Sequence, residues 1–224
     1  LDVGKNLNLN TLYCGSNPFI NLDVSKNIRL KSLTCDQSEL TSLDLSKNDS
    51  LDGFSCIFSS IETLSIGSNL YYLECEHSQL TTLILGNNSK LGVLYCNNNK
   101  LTNLDLSKCY ELGQLNCNHN MLTTLDIRYN TKLSYMDCSY NSIKMICVNQ
   151  NQLKGWWIRD AGTPLVVNCL VSIPEVEKLK SDPTVINIYN LVGQKVSSEK
   201  LENRVYIYQY SDGTFRRKWN NLNL

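Results

Sequence analysis

Apolar residues recur along this chain in a fixed frame. The pattern Leu-x-x-Leu-x-Cys-x-x-Asn is met at Leu91, Leu94, Cys96 and Asn99, and again at Leu112, Leu115, Cys117 and Asn120. Its cysteine falls at Cys14, Cys35, Cys56, Cys75, Cys96, Cys117 and Cys138, at steps of 21, 21, 19, 21, 21 and 21 residues. A second copy sits midway between successive cysteines, with an aliphatic residue in the cysteine slot. Leu40, Leu43, Leu45 and Asn48 show it, as do Leu122, Leu125, Ile127 and Asn130. Two apolar residues spaced two apart share one face of a strand. One such coil cannot bury its apolar face alone, but stacked coils share a continuous core. The pattern therefore predicts an all-β solenoid of parallel strands, whose seven coils span about 34 Å at ~4.8 Å per coil.

The Asn slot follows each strand where the chain turns inward. A buried side-chain amide there can satisfy backbone groups left unpaired by the turn. Ser38, Ser59 and Ser78 replace it in coils two to four. Serine does the job only in part, so those coils are expected to be less regular. The two-residue deletion before Cys75 falls in the same zone, near residues 67–71.

The chain has ten cysteines, but their spacing argues against a metal site, which needs convergent ligands in close pairs. The seven periodic ones are read as small buried hydrophobes standing in for leucine and staying as free thiols. Cys109 occupies an Asn slot of the second pattern and is also expected inside. The only histidines, His77 and His119, fall just past the strand on an outward loop, away from any inward thiol. No nucleophile–base pair and no phosphate-binding glycine loop is found either. An enzyme is not expected, and no cofactor or metal is implied.

These residues resemble the leucine-rich-repeat family, in particular its short 21-residue nested class common in bacterial surface proteins. The resemblance covers residues 1–151. It implies a binding or scaffolding module, non-catalytic, at an extracellular or outer-membrane surface. Leu1-Asp2-Val3 reads as the end of a repeat cut in its middle, so the native chain is expected to begin upstream, with any targeting signal there.

Residues 152–172 form a segment of a different kind. An open solenoid end exposes an apolar cross-section, and Leu153, Trp156, Trp157, Ile158, Leu165, Val166 and Val167 supply material to cover it. The tryptophan pair is read as core under this cover ahead of a sugar platform. The segment resembles the cap that follows such repeats in secreted Bacteroidetes-like proteins. That resemblance implies a capping disulfide between Cys147 and Cys169; the alternative is two more buried thiols.

Residues 173–224 lose the period. Glu175–Lys180 suggests a short helical turn. Val185–Asn190 and Arg204–Tyr210 alternate like half-buried strands, and Asp212-Gly213 marks a hairpin before Thr214–Trp219. Tyr189-Asn190-Leu191, Gly193-Gln194-Lys195-Val196 and Val205-Tyr206-Ile207 resemble the C-terminal half of the sorting domain of the type IX secretion system. Arg204 stands where that family carries Gly, and its Asn-Pro opening is absent. The whole is thus expected to be a leucine-rich-repeat coil stack followed by a small β-domain.

Charge narrows the partner. The chain carries 21 basic and 21 acidic residues, which disfavours a nucleic acid or an anionic bilayer surface. No apolar run is long enough to span a membrane. The predicted ligand face is the cysteine-strand side. Its outward columns hold Tyr72, Gln114 and Tyr135; then Tyr13, Glu74, Tyr95, Asn116 and Asp137; then Glu76 and Asn97; then Phe58, His77, His119 and Tyr140. Aromatic faces supply contact area and amides supply hydrogen bonds, which suits a protein or glycan ligand taken up by a monomer. The opposite side repeats Leu-Asp-Leu-Ser-Lys, with Asp23, Asp44, Asp105 and Asp126 in one column, and reads as a solvated ladder. The competing role is a spacer or scaffold segment of a larger surface adhesin.

Overall fold

The computed structural model describes residues 1–155, 157–167 and 169, and the backbone of strands 185–189, 204–210 and 215–220. Trp156, 175–180 and 193–196, singled out above, lie outside the described residues. The chain divides into two units, Leu1–Asn168 and Cys169–Leu224.

The first unit is a parallel solenoid. Seven three-residue strands, Thr11–Tyr13, Ser32–Thr34, Gly53–Ser55, Tyr72–Glu74, Val93–Tyr95, Gln114–Asn116 and Tyr135–Asp137, form one sheet in coil order. Their central residues Leu12, Leu33, Phe54, Leu73, Leu94, Leu115 and Met136 stand in register. The opposite side carries two shorter sheets. One is Ser42–Asp44, Thr63–Ser65 and Thr82–Ile84, and the other is Leu125–Asp126, Ile146–Val148 and Leu165–Val167. Between the two sides lies one core of Leu, Ile, Val and Cys. The periodic cysteines and Cys109 are buried free thiols. Burial pushes Cys96, Cys109 and Cys138 up to about 12, so they stay protonated at neutral pH and pack as small apolar groups. Several donate weakly to the carbonyl of the next coil, Cys14 Sγ to Thr34 O at 3.4 Å and Cys138 Sγ to Ile158 O at 3.6 Å.

Asparagines close the coil corners. Asn120 Nδ2 donates to Cys96 O and Cys117 O at 3.0 and 3.1 Å, while its Oδ1 accepts Leu101 N at 2.9 Å. Asn99 and Asn141 repeat this set one coil away on either side. The second ladder runs through Asn27, Asn48, Asn88 and Asn130, and a buried glutamine completes it. Gln152 Nε2 donates to Ile127 O and Asn130 O, both at 2.9 Å. In the serine coils the strands are as long and as evenly registered as elsewhere. The weaker side chain shows only in the hydrogen bonds: Ser59 and Ser78 pair with each other at 3.0 Å, and Ser38 Oγ is buried with no partner among the described residues. The two-residue deletion is likewise absorbed at a corner, because Gly53 to Ser55 still pairs cleanly with Tyr72 to Glu74.

The segment after Val148 behaves as one more coil. Ile158 bridges to Asp137 in parallel, and Leu165–Val167 pairs with Ile146–Val148. A 3-10 turn at Gln150–Lys154 is held by a capping box between Asn149 and Gln152. Trp157 is buried in the core, whereas Leu153 and Ile158 are exposed. The second unit contains an antiparallel sheet of Val185–Tyr189, Arg204–Tyr210 and Phe215–Asn220, in that order.

Candidate functional site

The backbone just past each cysteine has an unusual conformation. Ser16, Gln37, Phe58, His77, Asn98, His119 and Tyr140, all two residues after a ladder cysteine, have φ between 50 and 56°. This left-handed region costs a residue with a Cβ about 1–2 kcal/mol, and glycine occupies none of the seven positions. The ladder explains the geometry. Each of these residues first sends its N–H to the next coil, as His119 N does to Ser139 O at 3.0 Å. The left-handed turn then swings the following Asn or Ser inward. At the last coil Asp160 supplies the missing acceptor, its Oδ1 taking Tyr140 N at 2.7 Å and its Oδ2 taking Asn141 N at 3.0 Å. A carboxylate thus ends one ladder and an amide, Gln152, ends the other.

The same turn throws its own side chain outward, so the column becomes a ridge. Phe58 and His77 stack with ring centroids 4.6 Å apart, and His119 and Tyr140 stack at 4.1 Å. Between the stacks, Asn98 Nδ2 lies 3.4 Å from His77 Nε2. The side chains of Phe58 and Tyr140 are mostly exposed. The local sequence announces this ridge only in part, since His77, Asn98 and His119 are of types enriched in the left-handed region but Ser, Gln, Phe and Tyr are not; the seven-fold repeat of the position reveals it.

The predicted ligand residues divide by exposure. Tyr13, Phe58, His77, Gln114, His119, Tyr135 and Tyr140 are exposed, and Tyr72, Glu74, Glu76, Tyr95 and Asn116 are half-buried. Asn97 and Asp137, expected outward, are buried instead. Asp137 is held from within: Oδ1 accepts Ser139 Oγ at 2.7 Å and Ser139 N at 3.0 Å, and Oδ2 accepts Asn118 Nδ2 at 2.7 Å. In the central coils Tyr72 donates its hydroxyl to Glu74, and Tyr95 donates to Gln114 Oε1 at 2.5 Å. Burial, then the neighbouring Glu74 charge, raises the Glu76 carboxyl above its usual range. Burial also raises Tyr72 and Tyr135.

The opposite side has a different logic. Asp23, Asp44 and Asp105 each accept the backbone N–H two residues on, from Ser25, Ser46 and Ser107, all at 2.9 Å. Hydrogen bonds from these serines, the side chain first at Asp23 and the backbone first at Asp44 and Asp105, hold the three carboxyls below their ordinary range. The repeated Leu-Asp-x-Ser is a turn device. Among the described residues no group of three or more His, Cys, Asp or Glu is placed to hold a metal ion, and no helix is long and apolar enough to cross a membrane.

No family model and no curated protein matches the chain. Among solved structures it is similar to the leucine-rich repeat domain of APL1B, at 18% identity and a TM-score of 0.54, covering 70% of this chain and 49% of that one. The functional domain of InlJ from Listeria monocytogenes, described as including a cysteine ladder, is 26% identical over 71% of this chain and 45% of its own, with a TM-score of 0.45. The chain thus spans about half the length of each. The fold is that of a leucine-rich-repeat solenoid: all-β, with parallel strands and about seven turns.

Proposed function

We propose that the repeat unit is a non-catalytic binding module of an exported protein, acting as a monomer, and that its cysteine-strand face is the recognition surface. The observation that carries this reading is the ridge. Exposed aromatic rings at Phe58 and Tyr140 stand on this ridge, stacked on His77 and His119, and supply preorganised contact area for a partner. The hydrogen-bonded tyrosines beside it, Tyr72 and Tyr95, offer rigid amphipathic area at low entropic cost. Protein ligands fit best, with glycans as the second class. The resemblance of the 173–224 domain to the C-terminal half of a type IX sorting domain supports export.

Tyr72→Ala combined with Tyr95→Ala is expected to abolish capture on arrays of extracellular proteins and glycans while the chain stays folded, its unfolding temperature lowered by a few degrees. Hits untouched by the double change, or no hits across broad arrays, would instead favour the spacer role. The cap resemblance, with its implied Cys147–Cys169 disulfide, fits the same compartment. Thiol titration of the denatured, unreduced chain should then count the eight ladder and corner thiols; a count of ten would remove the disulfide.

A further inference from the structure

The recognition face is chemically one-sided. The period assigns four outward slots to each of the seven coils: three and one residues before the cysteine, and one and two after it. They hold the carboxylates Asp36, Glu74, Glu76 and Asp137 and not one Lys or Arg, in a chain whose charges otherwise balance. Asp36 and Asp137 are spent internally, the former accepting Ser55 Oγ at 2.6 Å and Ile57 N at 2.8 Å. Glu74 has one internal partner, the Tyr72 hydroxyl, and neither it nor Glu76 is ion-paired among the described residues. They flank Cys75 on the same strand side, half-buried, and the ion pairs among the described residues, Arg128–Asp126 and Lys132–Glu111, lie elsewhere. The nearest offsetting charge for Glu76 comes from His77. Like charges held together without a counter-ion cost folding stability.

A second, independent feature lies in the same column. Asn97, one coil beyond Glu76, is more than nine-tenths buried, and its Oδ1 has no hydrogen-bond partner. The cluster is therefore rich in acceptors and holds no lysine or arginine, beside Tyr72 and Tyr95. An ammonium or guanidinium group is the complement, since it brings several donors, no acceptor and a positive charge to an aromatic face. A sugar hydroxyl brings a donor and acceptors together, and leaves the carboxylate repulsion in place.

We propose that coils four to seven of this face bind a cationic protein segment, seating a Lys or Arg side chain against Glu74, Glu76 and Asn97. This rests on the recognition-face reading above and names its partner class.

Fluorescence anisotropy with a labelled oligolysine peptide on the full chain tests it, with oligoglutamate and neutral glycans as comparison probes. Oligolysine should bind, with affinity falling as salt is added. Glu74→Gln with Glu76→Gln should weaken it about tenfold or more, while Asp44→Asn with Asp105→Asn, on the opposite side, should not. Circular dichroism melts confirm that both double variants fold; removing the Glu74–Glu76 repulsion leaves the first at least as stable. The proposal is overturned if oligolysine does not bind, if both double variants weaken it equally, or if neutral glycans bind and ignore the glutamate changes. The underlying reading fails separately, if Tyr72→Ala with Tyr95→Ala leaves every ligand found on the arrays bound as before.

Discussion

Replacing Asn120 with alanine is expected to destabilise the repeat unit by about 3 kcal/mol, read from the shift of its urea unfolding midpoint. The side chain sits in the corner between coils five and six and serves both. Its amide nitrogen holds Cys96 O in one coil and Cys117 O in the next, and its oxygen takes Leu101 N. In the alanine variant Leu101 N loses its acceptor outright, while Cys96 O and Cys117 O each lose one of two donors and keep Asn99 Nδ2 and Asn141 Nδ2. A buried polar group left unpaired costs about 1–3 kcal/mol. Losing one of two bonds at each carbonyl adds about 0.5–1.5 kcal/mol apiece, which brings the total to about 3 kcal/mol. Asn120→Ser should cost about half as much, because serine already occupies this slot at Ser38, Ser59 and Ser78. A loss under about 1 kcal/mol for alanine, the size of an ordinary surface change, would show that the corner amides are not what joins the coils.

The second large effect is expected at the cap. A methyl group at Gly155 would sit 2.3 Å from Cε2 and Cζ2 of Trp157. That ring is buried in the core, so it cannot swing aside into solvent. Gly155→Ala should therefore cost about 2–3 kcal/mol by overpacking. The loss should also be local. Cys138 N bonds Ile158 O and Ile127 N bonds Cys147 O, so hydrogen exchange at residues 127 and 138 should accelerate, while exchange at residues 35 and 45 stays slow. Uniform acceleration along the solenoid would mean that the coils unfold as one block and that the cap does not act on its neighbours alone.

Both predictions bear on what a sequence can reveal. The inward Leu and Cys positions were readable because periodicity is itself the signal, and the corner asparagines were readable for the same reason. The strands of the second unit were readable from alternation and a hairpin signal. Single-copy features were not. Gln152 and Asp160 end the two ladders, yet each occurs once in a segment with no frame, so nothing distinguished them from ordinary polar residues. The left-handed ridge repeats seven times, yet only His77, Asn98 and His119 carry residue types enriched in that conformation, because the strain is imposed by the ladder. Asn97 and Asp137 occupy outward slots by period and are nonetheless buried, Asp137 under hydrogen bonds from Asn118 and Ser139. Period assigns direction; only packing assigns depth.

Asp160 has a wider consequence. It meets the final coil using two backbone N–H groups that every earlier coil also presents, at the same turn and in the same conformation. A terminator that recognises only what is common to all repeats sets no requirement on how many precede it. The number of coils is therefore free to change by whole units, through duplication or loss, without redesign of the ending. The stretch of surface available to a partner can lengthen or shorten in steps of one turn, while the chemistry that closes the stack stays the same.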